Sequence, residues 1–213
     1  MVTSNHIHLL VQDTGNDVIA RSMQLAAGRT AQQYNRRKSR QGAFWEDRYH
    51  ATAIEIDTHL HRCVVYMDLN MVRAGIAKHA NAWENSGYNE IQNPRKRYRL
   101  IDLDALSTLC GFGSVGQLQR AHDKWVEHTL SENALAKDAR WSESVAVGSE
   151  RFTEEVKREL GLRAKHRQVA PEERGHSLRE PLPPYGDDFD LENAPISFNN
   201  PVSWHTNPDE TET

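Results

Sequence analysis

Within the first 75 residues the spacing of apolar side chains changes from two to about 3.6 and back again, a succession that restricts the chain to alternating strand and helix. The run MVTSNHIHLLVQ predicts a strand over about 2–12, with His6, His8 and Leu10 on one face and Ile7, Leu9 and Val11 on the other. Val18, Ile19, Met23, Leu25 and Ala26 then recur at helical spacing, which predicts a helix over about 16–38 capped by Asn16 or Asp17. The β-branched run ATAIEI predicts a second strand over about 49–56. Asp57 or Thr58 caps a further helix that runs to Ala74 and stops at Gly75. The order is β-α-β-α.

From Asn93 onward the pattern is helical, with segments at about 102–110, 114–135 and 150–160, the last capped by Ser149 and closed by Gly161. No comparable strand signal is present there, and the basic run NPRKRYR marks the hinge between the two parts. Beyond Pro171, Pro, Gly, Asn and Asp dominate, and no regular structure is expected. No apolar run approaches membrane-spanning length, so no membrane partner is expected. The start has no basic region followed by a long apolar stretch, and the only cysteines are Cys63 and Cys110 in apolar helical surroundings. A reducing cytoplasm is the expected location, with both thiols as small core side chains.

The net charge of −4 conceals a division along the chain. Between Gly28 and His50, six cations (Arg29, Arg36, Arg37, Lys38, Arg40 and Arg48) face two acidic residues, and NPRKRYRL adds Arg95, Lys96, Arg97 and Arg99. Seven acidic residues and no Lys or Arg follow Pro183. Around the first basic cluster, Tyr34, Phe44, Trp45 and Tyr49 supply faces on which unpaired bases could stack, which points to single-stranded nucleic acid. Trp45 suits a core position equally well. Arg73 either contacts phosphate or neutralises a helix C-terminus. In KRELGLRAKHRQV, Arg163, Lys165 and Arg167 belong either to a DNA-contacting helix or to a charged solvated one.

Two imidazoles two residues apart on a strand present lone pairs in the same direction, a spacing from which both reach one cation. The pattern alone is weak: with 11 histidines in 213 residues it is common, and His59-Leu60-His61 repeats it in a predicted helix where the rings diverge. The helix segment RCVVYMDLNMVRAG strengthens it, because Tyr66 and Asn70 lie four apart on one face. A divalent ion on His6, His8 and the Asn70 oxygen would polarise a phosphate, and Tyr66 would attack phosphorus. A phenol, with a pKa of about 10, needs nearby positive charge or a base to lose its proton, and it is also a good leaving group for a later rejoining step. Taken singly, Tyr66 also suits an amphipathic core face and Asn70 a local hydrogen bond.

SNHIHLLV resembles the histidine-hydrophobe-histidine motif of HUH single-tyrosine transposases, and YMDLNMVRAG resembles the nucleophile helix of their REP-associated (RAYT) branch. NRR…GAFWEDRYHA between them and AVGSERFTEEVKRELGLRAKHR after them are similar to the same proteins, so the likeness spans most of residues 1–180. The resemblance implies an α+β architecture: a ferredoxin-like HUH catalytic domain over 1–92, a helical DNA-binding-like module over 93–170, and a disordered or extended acidic tail over 171–213. It implies cleavage of single-stranded DNA beside a hairpin, with a covalent 5′-phosphotyrosine intermediate. By position, Tyr66 matches the nucleophile, His6 and His8 the metal-binding pair, and Asn70 a further ligand, with Mg2+ or Mn2+ as cofactor. Arg36, Arg37, Lys38, Arg40, Trp45, Arg48, Arg73, Arg95, Lys96, Arg97, Arg163, Lys165 and Arg167 make up the expected DNA-binding set. The partner is single-stranded or hairpin DNA, and a homodimer stays open.

The chain departs from the family pattern in two places. Met71 stands where a proline commonly follows the asparagine, which lets the helix continue. The family places a strand, a helix and another strand before the histidine strand, whereas Met1 falls at that strand's beginning. The expectation is a catalytic domain lacking its N-terminal part, through a misassigned start, a decayed gene or a partner chain that completes the sheet. The competing functional readings are a truncated remnant that binds DNA without cutting and a metal-dependent hydrolase of a small substrate; the basic and aromatic interleaving speaks against the latter.

Overall fold

A computed structural model describes residues 1–3, 6–46, 48–56 and 58–181. The helix carrying the YMD segment, α2 (Thr58–Asp68), organises the interior because its apolar residues form two adjacent stripes. Leu60 and Val64 pack with Ile91, Leu103, Leu106 and Leu118. Val65 and, just past the helix end, Leu69 pack with Ala80, Tyr88 and Val126. The partners come from α4 (Gly87–Gln92), α5 (Leu103–Leu109), α6 (Val115–Ser131) and a 3-10 turn at Ala80–Ala82. Burying each such Leu or Val contributes roughly 1.5–3 kcal/mol. The three helices start where side-chain acceptors stand ready: Ser86 receives the Asn89 amide, Asp102 that of Ala105, and Ser114 that of Gln117.

A four-stranded mixed sheet with order β1-β2-β4-β3 makes the fold α+β. Strand β1 (Ala53–Ile54) runs parallel to β2 (Ala146–Gly148), with Ala53 opposite Ala146. Strands β3 (Gln168–Glu172) and β4 (Gly175–Arg179) form an antiparallel hairpin joined to β2 through β4. Gly175, at φ +132, closes the two-residue turn, and a Cβ there would collide with the His59 ring. Helix α8 (Glu150–Leu160) lies against β2 and β4; Ser149 caps it and Gly161 ends it, as its sequence predicts.

The sheet corrects two sequence expectations. Strands do occur after Asn93, and regular structure continues past Pro171 to Arg179. Strand β2 is three residues long and buried throughout, so it shows no alternation to read. Pro171 sits in β3, at the sheet edge, where a missing N–H is tolerated. The β1–β2 pairing crosses the boundary expected near residue 93, and Met1–Glu180 form one unit. The acidic run after Pro183 lies outside the described residues.

The predicted strand over 2–12 is absent: Val2 and Ile7 form one isolated antiparallel bridge, and residues 9–12 have no regular structure. Alternation makes a strand only beside another strand, and none of the described residues pairs with 9–12. The strand expected over 49–56 shrinks to β1 for the same reason: only Ala53 and Ile54 meet β2. Helix α1 (Val18–Arg37) forms as predicted, though Asp17 at its start makes no side-chain cap bond. The helix expected to reach Ala74 is interrupted at Leu69 and resumes as α3 (Asn70–Arg73), with Gly75 at φ +69 after it. Asp57, one of the two expected caps, lies outside the described residues. Both cysteines are buried and free; burial pushes the Cys63 thiol up to about 12 and that of Cys110 to about 11, as inert core side chains. Among the described residues no helix is long and apolar enough to cross a membrane.

Candidate active site

The N-terminal residues reach α3 through a set of local hydrogen bonds. Met1 and His8 exchange two backbone bonds, at 3.0 and 3.2 Å, and the Thr3 amide donates to the His6 carbonyl at 2.9 Å while its hydroxyl receives the His6 amide at 2.9 Å. Val2 is tied to the loop before α4: its amide donates to the Asn85 carbonyl, and its carbonyl accepts from the Trp83 indole at 2.8 Å. These ties place both imidazoles on one side without a strand. The His6 and His8 rings lie 6.4 Å apart at an angle of 14°.

His8, half-buried, meets Asn70: the ring Nε2 lies 3.1 Å from the amide Nδ2. An amide nitrogen can only donate, so His8 Nε2 accepts and the ring is neutral, with its proton on Nδ1. The Asn70 oxygen is turned to Arg73, whose Nη2 lies at 3.3 Å. Burial, followed by the positive charges of the N-terminus, His6 and Arg73, pushes the His8 pKa below its ordinary value of 6.5. Orientation and electrostatics agree on a neutral ring.

Arg73 joins this pair to Tyr66. Its guanidinium carbon lies 3.7 Å from the centre of the Tyr66 ring, and its Nη2 donates to the Tyr66 carbonyl at 2.7 Å. Its own pKa is lowered by burial, against which the Tyr66 phenol and the Asp138 carboxylate act in the opposite sense. A stacked, hydrogen-bonded guanidinium is a fixed positive charge beside the phenol, the condition that nucleophilic use of a tyrosine requires. Trp141, on α7 (Arg140–Glu143), lies 6.0 Å from Tyr66, and the preceding Arg140 is held by Asp138 at 2.7 Å.

The helix end bearing Tyr66 is fixed from below. Asp68 is buried; its carboxylate accepts from His122 Nε2 at 3.0 Å and from the Tyr88 amide at 2.8 Å. His122 is also buried, and its Nδ1 lies 3.1 Å from the Gln92 side-chain nitrogen. A Cβ at residue 87 would stand 2.8 Å from Asp68 Oδ1, so glycine there admits the carboxylate.

Neutral imidazole nitrogens and an amide oxygen are donor types that suit a divalent ion of the manganese or magnesium class. His6, His8 and Asn70 therefore suit such an ion in kind, with His8 and Asn70 in direct contact and the His6 ring 6.4 Å from that of His8. Among the described residues no group of three His, Cys, Asp or Glu side chains could hold a metal ion. The His8 lone pair and the Asn70 oxygen are engaged by hydrogen bonds here, and ion binding would exchange those bonds for ligation.

Of the residues singled out in the sequence, His6, His8, Tyr66, Asn70 and Arg73 come together. The other basic side chains are spread over several elements. Arg36, Arg37, Lys38 and Arg40 are exposed around the C-terminal end of α1, and Arg48 is exposed beyond it. Trp45 packs edge-on against Phe44 and donates its indole N–H to the Ala27 carbonyl at 3.0 Å, which anchors α1. Arg95, Lys96 and Arg97 are exposed on the loop between α4 and α5. Arg163 and Lys165 are exposed beside α8, while Arg167 is half-buried and 3.6 Å from Glu180. The sequence reading missed Asp138 and Trp141, which lack any local pattern, and Asp68 and His122, whose signal was a charged residue at a core position of each helix.

Residues 1–68 match the family described as transposase, IS200 like. No curated protein and no solved structure matches the chain. The matched stretch contains His6, His8 and Tyr66; Asn70, Arg73, Asp138 and Trp141 lie beyond it.

Proposed function

We propose that this protein, whose residues 1–68 match the IS200-like transposase family, cuts and rejoins single-stranded DNA beside a hairpin, with Tyr66 as the nucleophile. The observation that carries the reading is Arg73, which stacks on the Tyr66 ring at 3.7 Å and binds Asn70, itself 3.1 Å from His8. One guanidinium links the nucleophile to the metal-ligand candidates.

In the proposed reaction the Tyr66 oxygen forms a bond to phosphorus and the bond from phosphorus to the 3′ oxygen breaks. The 5′ side stays on the tyrosine as a phosphodiester, and the phenol proton ends on the released 3′-hydroxyl. Attack by a 3′-hydroxyl on the phosphotyrosine reverses the sequence and restores the phenol. Arg73 holds the ring and places positive charge where phenolate character develops. A divalent ion on His6, His8 and Asn70 would supply Lewis-acid polarisation of the phosphate. Mn2+ suits the imidazoles better by softness, and Mg2+ is favoured by abundance.

The test is incubation of the protein with labelled hairpin-bearing single strands and Mn2+. The expected result is a labelled protein band that survives denaturing electrophoresis and is lost in Tyr66→Phe, while DNA binding by the variant is retained. A wild-type protein that binds DNA but never forms the adduct favours a non-cutting DNA-binding protein.

A further inference from the structure

Between α4 and α5 the chain forms a short loop, Pro94 to Leu100, that takes no part in the site around Tyr66. Tyr98 at its tip is 88 % exposed and holds φ +56, a conformation that costs energy in a residue with a Cβ. Leu100 beside it is 83 % exposed. The conformation is held from both sides. Buried Glu90 accepts from the backbone amides of Leu100 and Ile101, the latter at 3.0 Å, and Ile101 packs against the core beside α5. Across the base of the loop, Arg99 Nε donates to the Arg95 carbonyl at 2.9 Å. A buried carboxylate therefore anchors a strained turn whose aromatic tip faces water.

The tip is flanked by Arg95, Lys96, Arg97 and Arg99, all exposed. Among the described residues the arginine–carboxylate pairs involve Arg140, Arg158, Arg167, Arg174 and Arg179, and none of the four cations of this loop. An exposed ring among exposed cations is the combination that binds an unpaired strand: the ring stacks on a base and the cations lie along the phosphates. Duplex DNA offers the phosphates but keeps its base faces stacked.

We propose that this loop is a second contact for single-stranded DNA, with Tyr98 as a base-stacking residue and Arg95, Lys96 and Arg97 on the flanking phosphates. It rests on the DNA-processing reading above and adds to it a place, outside the matched residues 1–68, where unpaired strand is told from duplex.

Fluorescence anisotropy on the full chain, with a labelled single strand and a duplex of equal length at one salt concentration, tests this. Tyr98→Ala should weaken single-strand binding about 5- to 100-fold while duplex binding stays within about twofold, and Tyr98→Phe should bind as wild type. Lys96→Gln with Arg97→Gln should weaken both ligands and lower the salt dependence by about 0.7 per cation on the single strand. Unchanged single-strand binding in Tyr98→Ala, or an equal loss on duplex, overturns the proposal. Adduct formation at saturating DNA separates the two readings: if Tyr98→Ala forms the Tyr66 adduct but binds single strand as wild type does, the loop proposal fails and the strand-transfer reading stands. A wild-type protein that binds no single strand sinks both.

Discussion

His8 is a residue through which pH acts on the fold. Its neutral form is favoured by burial, by the Asn70 amide donated to Nε2 and by nearby positive charge, so the folded chain takes up this proton below the ordinary 6.5. The sign follows from proton uptake. The unfolded chain binds the proton first as pH falls, so the contribution of neutral His8 to stability is complete above 6.5 and is lost as pH drops through the folded value. Urea unfolding followed between about pH 8 and pH 5 should show stability falling toward acid, with a shallower slope in His8→Gln. Equal slopes would mean that the ring is not held neutral by its site. The pairing of His6 and His8 was legible in their spacing of two, but it is the Met1–His8 and Thr3–His6 bonds, not a strand, that hold the two rings side by side. Arg73 was legible only as a cation near the site, since its stacking on Tyr66 depends on the bend at Leu69.

At the scale of elements, α2 is set between α4 and α6 by the Asp68–His122 contact. Both side chains are nearly inaccessible, at 3 % and 0 % exposure, so removal of one leaves the other buried without its partner. Asp68→Ala is expected to lower the unfolding free energy by about 3–5 kcal/mol, measured by urea denaturation, and Asp68→Asn by less because it keeps an acceptor for the Tyr88 amide. A loss within a few tenths would show that the contact carries no such weight. Helices were the legible elements: α1 through periodicity, α2 and α8 through the residues at their ends; α5 and α6 also begin at acceptor side chains, Asp102 and Ser114. Strands β2 to β4 were not, because they are three to five residues long and owe their existence to pairing. The alternation in HIHLLV misled for the converse reason.

For the whole molecule, the interior does not divide where the sequence changes character. Leu60 and Val64 pack against residues beyond 100, Val65 shares a cluster with Val126, and β1 pairs with β2. A fragment ending at residue 92 would lose α5, α6 and every neighbour of β1, and is expected to show no cooperative thermal transition by circular dichroism; a sharp transition would establish an independent N-terminal domain. The same interdependence puts Asp138 and Trp141 of the later segment beside Arg73 and Tyr66.

Mass spectrometry of peptides from the protein after reaction with a hairpin-bearing strand should find the nucleotide mass on the peptide that contains Tyr66. The same mass on another residue, or strand cleavage with no nucleotide on any peptide, would rule out Tyr66 as the nucleophile.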